Sequence, residues 1–400
     1  MTEICIRLSQ YGRLLKIVKD LNMLSAQEQI SFVAKNLASA DEILRVINLD
    51  FKVSNYCAAI LGGSLADGFA NRYSDVDIYL IIKNKSDLPS STALTKYLSD
   101  RHWHVHFLPV ETLNEIEENI AKNNYKFSDP EKILIHRLYY GMIIDGSTFA
   151  NDWRSNVNFK KYTKHIAFST YNWASGTHRD CLGMYEASDG LGYTQAIRMG
   201  LGYLVDSLLY AMGNTIPRHK WRLRMISETI GNSNFLENYV QKTSFVPINY
   251  DNLCPSIVQS QLRIWQLISS QVILKTIILQ DDLDNRKISQ YLNNASLYNA
   301  PPADNLDCNE IVTPTRTLDS RLDRMGGQHG DRLVLVQGYQ NLAVSPLIAA
   351  IWCYADGQRN IDQISTQILT RASKIDNDKN LCKDKIIGAI NNMISKKLLS

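Results

Sequence analysis

A small-residue turn, Gly62-Gly63-Ser64, is followed after the ten residues Leu65 to Ser74 by Asp75-Val76-Asp77-Ile78, and no other segment constrains this chain as much. The apolar run Ala58-Ala59-Ile60-Leu61 predicts a buried strand that delivers the turn, and Val76, Ile78, Leu80, Ile81 and Ile82 predict the next strand. Successive side chains of a strand point to opposite faces, so Asp75 and Asp77 share one face while Val76 and Ile78 bury the other. Two carboxylates side by side repel unless cations sit between them. Backbone N–H groups at a glycine turn entering a helix favour anions, and glycine lets them approach closely. Together the turn and the acids predict a site for a phosphate-bearing ligand with divalent cations. The plainer alternative is a buried strand whose two acids merely face solvent. Walker and dinucleotide-binding fingerprints are absent from the sequence.

Residues 55 to 110 resemble the nucleotidyltransferase superfamily built on the polymerase-beta-like palm, through Gly63, Ser64, the spacer, Asp75, Val76 and Asp77. Ser64-Leu65-Ala66-Asp67-Gly68 and Arg72-Tyr73-Ser74-Asp75 are similar to the small-molecule and antibiotic nucleotidyltransferases, which often carry a basic residue in place of Asp67. The resemblance implies an α+β palm, a mixed sheet with helices. It implies that Gly62, Gly63 and Ser64 hold the triphosphate of an NTP, ATP first among them, and that Asp75 and Asp77 bind Mg²⁺ or Mn²⁺ and are catalytic. The implied chemistry is in-line attack on the α-phosphorus with release of pyrophosphate.

The superfamily places a third acid on a later strand, and here the sequence departs from it. The candidate strand, Trp103 to Val110, carries His104 and His106 on one face, which could look toward Asp75 and Asp77. In one reading His104 or His106 ligates metal or acts as general base near neutral pH. In the other, the acid is lost and these are partly exposed strand histidines. Glu111, just past the strand, is a weaker substitute.

Of the 400 residues 45% are hydrophobic, enough for two to four domains with real cores. The sequence shows no signal peptide and no apolar run of transmembrane length, so no membrane partner is expected. Seven cysteines without a Cys-x-x-Cys spacing argue for a reduced, cytoplasmic compartment. Net charge is +3, all of it within residues 331–400, which disfavours nucleic acid as the main partner.

Residues 1–50 read as helical, with Ser25 and Glu28 at capping-box spacing and Ile30, Val33, Leu37 and Ile43 as a buried stripe. The palm spans 51–150 and ends in a short strand, Met142-Ile143-Ile144, before the turn Asp145-Gly146. Residues 151–298 read as a helical domain, with Leu201, Leu204, Leu208 and Met212 and then Leu262, Trp265, Ile268 and Val272 at core spacing. On the other face of the first stripe Tyr203, Asp206 and Tyr210 project together, which makes Asp206 a candidate for the nucleotide site. Pro217 to Arg224 forms a basic cluster around Trp221; Lys220 and Trp221 either reach a triphosphate and an adenine ring or belong to a solvated helix face.

Residues 299–330, rich in proline and glycine, read as a linker. Residues 331–400 read as a separate winged-helix-like domain: a strand Leu333 to Val336, a helix Pro346 to Tyr354, a turn at Asp356-Gly357, a helix from Ile361 and a last helix from Lys383. With Ile351-Trp352 and Asn360-Ile361-Asp362-Gln363-Ile364 this stretch resembles the PqqD-like peptide-recognition domains. That resemblance implies capture of a peptide by strand addition to an exposed edge at Leu333 to Val336. A generic winged helix used for packing or for a homodimer is the alternative. Three functions follow: nucleotidyl transfer to a peptide or peptide-derived natural product, the same transfer to a small antibiotic-like molecule, or a non-catalytic peptide-binding scaffold with a degenerate palm.

Overall fold

The computed structural model describes residues 26–37, 39–53, 55–124, 127–216, 219–231, 235, 239, 255–279, 283–294, 317–319, 324–329, 332–337, 340–375, 381–396 and 399. The chain divides into two compact units, Met1–Thr163 with Gly213–Trp221, and Lys164–Met212 with Arg222–Ser400. The first unit therefore runs past the expected palm boundary at 150 and takes in the segment holding Lys220 and Trp221. Ser25 and Pro217 lie outside the described residues.

The first unit comprises α1 (Ala26–Asn36), α2 (Ala40–Leu49), β1 (Ala58–Gly62), α3 (Gly63–Ala66), β2 (Val76–Ile82), β3 (Ala93–Leu98), β4 (Arg101–Pro109), α4 (Val110–Ala121), α5 (Asp129–Tyr140), β5 (Met142–Asp145) and α6 (Ser147–Asn156). The five strands form one sheet in the order β3-β4-β2-β1-β5. Only β2 and β4 run parallel; the other pairs are antiparallel. This mixed sheet with its helices makes the unit α+β. Alternation along β2 and β4 decides the layers. Val76, Ile78, Leu80 and Ile82 join Trp103, Val105 and Phe107 in one core with Val33, Ile43, Val46 and Ile47 of α1 and α2. The segment expected as a separate N-terminal helical piece is thus, where described, a layer of the first unit's own core. Each of its fully buried Ile or Val side chains contributes about 1.5–3 kcal/mol.

The second unit holds most of α7 (Phe159–Glu186), then α8 (Gly190–Ala211), α9 (Arg222–Ile230), α10 (Pro255–Ile273) and α11 (Asn285–Asn294). It continues with β6 (Thr317–Asp319), β7 (Arg324–His329), β8 (Arg332–Gln337), β9 (Gln340–Val344), α12 (Pro346–Tyr354), β10 (Asp356–Asn360), α13 (Ile361–Leu369), α14 (Ala372–Ile375) and α15 (Lys383–Ser395). Both predicted helical stripes are buried. On α10 the polar face is buried too, including Gln261, Gln266, Ser269 and Ser270, so this helix is internal nearly all round. Its polar groups are satisfied inside: Gln261 Oε1 accepts from Tyr193 at 3.0 Å, and Ser269 Oγ donates to Trp265 O at 2.8 Å.

The C-terminal part differs from expectation in three ways. The expected linker contains β6 and β7. Leu333 to Val336 lies in β8, the middle strand of the antiparallel sheet β7-β8-β9, and so is not an edge. Asp356-Gly357 is the start of β10, paired with β6, rather than a turn. Nor do residues 331–400 stand apart: Gln266 Nε2 of α10 donates to Ala355 O at 3.1 Å, and both belong to one compact unit. Sequence patterns reveal strands and helices, but a strand's place in its sheet depends on long-range pairing.

Candidate active site

β1 and β2 are antiparallel, and their register sets Gly62 opposite Asp77. Gly63 has φ 70°, a left-handed backbone that suits glycine. A Cβ there would fall on Asp77 Oδ2 and lie 3.2 Å from Asp77 Cγ. The two halves of the sequence motif are thus in direct contact, and the missing side chain at Gly63 is the space the Asp77 carboxylate occupies.

The parallel pairing of β2 with β4 places His104 beside Asp77 and His106 beside Tyr79 on one sheet face. The His106 ring stacks on Tyr79 with centroids 4.8 Å apart, and its Nε2 lies 4.0 Å from Asp77 Oδ1. Burial lowers the His106 pKa, with Arg137 and His104 adding to the effect, while Asp77 opposes it. His106 is therefore neutral at neutral pH. His104 Nδ1 lies 3.3 Å from Thr95 Oγ1 on β3.

The sequence reading missed α5. A capping box of Ser128 and Glu131 starts this helix, and Arg154 closes it by donating to Leu138 O and Gly141 O at 2.8 and 2.6 Å. Ile133, His136, Arg137 and Tyr140 share one face at spacings of three and four, the signal that could have drawn attention to it. Arg137 Nη2 lies 3.3 Å from Asp77 Oδ2, and Arg137 Nη1 donates to the Tyr79 hydroxyl. Burial would lower the pKa of this guanidinium, but Tyr79, Asp77 and Asp67 together hold it raised. Asp77 is thus anchored by Arg137, with His106 on its other side. His136 is 1% exposed; its Nε2 lies 3.1 Å from Asp67 Oδ1 and its Nδ1 2.8 Å from Thr215 Oγ1.

These groups open onto one cavity of about 540 Å³, within the range of small-ligand sites. Of the predicted residues, Gly63, Ser64, Asp75, Asp77, His104, His106, Lys220 and Trp221 line it. Asp67, Tyr73, His136 and Arg137 join them. Lys220 Nζ lies 5.2 Å from the Trp221 ring centroid, and Trp221 packs on Phe69 at 5.4 Å. Gly62 lies behind the cavity, where a Cβ would be 3.0 Å from Arg137 Cβ. Glu111 does not line it and lies 3.9 Å from Lys85. Asp206 is not brought to it either. It is buried in the second unit, with both carboxylate oxygens held by Arg222 at 2.7 and 2.8 Å. Tyr203, Asp206 and Tyr210 do share a face of α8, but Asp206 and Tyr210 point into the interior.

Among the described residues no group of three or more His, Cys, Asp or Glu could hold a metal ion, and Asp75 and Asp77 are a pair. Two hard carboxylates, one exposed and one anchored, match Mg²⁺ bound through one or two acids plus the phosphates of its nucleotide.

Among the described residues no helix is long and apolar enough to cross a membrane. No family model matches the chain, and no curated protein matches it. Among solved structures it is similar to the crystal structure of a nucleotidyltransferase-like protein from Exiguobacterium sibiricum 255-15, at 12% identity and a TM-score of 0.36, over 59% of this chain and 76% of that one. At that score the likeness supports no inference about activity.

Proposed function

We propose that the first unit is a nucleotidyltransferase palm, which binds an NTP such as ATP in the 540 Å³ cavity and transfers its nucleoside monophosphate to an acceptor. The contact between the left-handed Gly63 turn and the anchored Asp77 carboxylate, with Lys220 lining the same cavity, carries this reading. Gly63 and Ser64 let phosphates approach the backbone, while Lys220 and Arg137 supply fixed positive charge in a partly water-excluded site. Asp75 and Asp77 would hold Mg²⁺ or Mn²⁺ carried by the nucleotide, which supplies charge neutralisation at the α-phosphorus. Trp221 and the exposed Tyr73 offer faces on which a base can stack.

The acceptor in this reading is a peptide or peptide-derived natural product, brought by the C-terminal PqqD-like part. Support comes from the sequence of that part and from its three-stranded sheet, in which β7 and β9 are the outer strands among the described residues, the positions where strand addition takes place. A small antibiotic-like acceptor is the second reading, favoured by the spacer sequence around Arg72 to Asp75.

The test is pyrophosphate release by the full chain with each NTP, with Mg²⁺ or EDTA, and with peptide or small acceptors. Asp77→Asn and Asp75→Asn should each lower turnover about a hundredfold while the fold persists. Undiminished transfer by the double variant would sink the assignment. ATP binding without any pyrophosphate release would leave a nucleotide-binding scaffold in its place.

A further inference from the structure

β4 carries histidines and no acid, but one more carboxylate, Asp67, lines the cavity wall. Asp67 follows α3, where its N–H donates to Gly63 O at 3.0 Å, so its position is tied to the glycine turn itself. Its side chain is only 9% exposed, and it lines the cavity shared by Asp75 and Asp77. The Arg137 guanidinium is close enough to feel both Asp67 and Asp77.

Behind Asp67 stands a buried relay. A carboxylate can only accept, so His136 Nε2 must carry the proton donated to Asp67 Oδ1 across 3.1 Å. In the neutral ring Nδ1 is then the acceptor, and Thr215 Oγ1 donates to it across 2.8 Å. His136 and Thr215 are 1% and 2% exposed, so water does not compete for either contact. Three segments, α3, α5 and residues 213–216, converge to fix one carboxylate. Holding a carboxylate at a set orientation is what proton abstraction in a transition state requires.

We propose that Asp67, oriented by His136 and Thr215, is the third carboxylate of this site and takes the proton of the acceptor. The inference rests on the transfer reading above. In the step, the acceptor O–H or N–H bond breaks and its proton passes to Asp67. The freed electron pair forms the bond to the α-phosphorus, the bond from that phosphorus to the bridging oxygen breaks, and pyrophosphate leaves with that electron pair. The proton on Asp67 then returns to solvent. His136 and Thr215 are positioning residues and do not touch the substrate.

The experiment measures pyrophosphate release from MgATP with glycerol as a hydroxyl acceptor, and separately the binding of a fluorescent ATP analogue to the full chain. Asp67→Asn should lower kcat about a hundredfold and leave KM and analogue affinity for the nucleotide within about twofold. His136→Leu should reproduce the fall, and His136→Gln, which keeps an N–H donor, should recover about a tenth of wild-type kcat. Full turnover by Asp67→Asn would overturn the proposal. So would equal losses of kcat and nucleotide affinity, or equal effects of His136→Leu and His136→Gln, since those describe a structural brace. A wild-type chain that neither binds ATP nor releases pyrophosphate would instead fail the transfer reading, and this inference with it.

Discussion

Replacing Gly63 by Ala tests the contact on which the site is built. Two costs follow from the structure. An L side chain at φ 70° costs about 1–2 kcal/mol. The new Cβ also occupies the place of the Asp77 carboxylate, so the carboxylate must leave its 3.3 Å pairing with Arg137, whose side chain is 10% exposed. Removing one partner of a fully buried pair costs about 3–5 kcal/mol. Here both partners persist and Asp77 keeps 17% exposure, so about 1–2 kcal/mol is the appropriate share. The sum is about 2–4 kcal/mol, measurable as a shift of the urea midpoint followed by tryptophan fluorescence. Gly62→Ala is the control. Its φ of −116° suits any residue, and a Cβ would stand 3.0 Å from Arg137 Cβ and the Tyr79 ring. A few tenths of an ångström of movement relieves that crowding, at a cost of about 1 kcal/mol. Binding of the fluorescent ATP analogue should fall far more in Gly63→Ala than in Gly62→Ala. A Gly63→Ala protein as stable as wild type, or no less stable than Gly62→Ala, would refute the account of a turn shaped around Asp77.

The other predictions concern neighbouring features. Asp206→Ala leaves Arg222 without its bidentate partner and should cost about 2–4 kcal/mol in chemical denaturation without changing the KM for nucleotide at temperatures where it stays folded; a selective loss of nucleotide binding would return Asp206 to the site. His106→Gln should lower turnover less than about tenfold, because a neutral imidazole at 4.0 Å holds Asp77 only weakly. If His106 were instead the base, its lowered pKa would put an acid limb of activity below about pH 6.5, and that limb would vanish in the variant. The same shift bears on stability: the folded value lies below the unfolded one, so stability falls as pH drops through about 6.5 and levels off once the folded-state value is passed. A chain ended at Asn294 should aggregate or bind a hydrophobic dye, since α12 shares a compact unit with α10 and its Ile351 and Trp352 are buried; a monomeric, cooperatively folding product would show residues 317–400 to be a free appendage after all.

The turn, the acids and the strands around them were legible in the sequence, because a strand's period of two and the conformational freedom of glycine are local properties. The parallel pairing of β2 with β4 set Asp77 on the face of His104, whereas local rules placed only His104 with His106 and the core stripes on α8 and α10. They could not weigh Asp206, whose spacing fits a ligand site and a buried pair equally well until Arg222 is seen to hold it. Nor could they relate Asp67 to His136 and Arg137, which lie up to 70 residues away in sequence and acquire a chemical relation to it only when α5 meets the glycine turn. The middle position of β8 and the union of the C-terminal residues with α10 were also decided by long-range pairing and burial. The sequence alone determined the glycine turn and the acids that follow it. Tertiary packing chose which carboxylates line one cavity, because a charge's partners depend on segments the chain brings together only on folding.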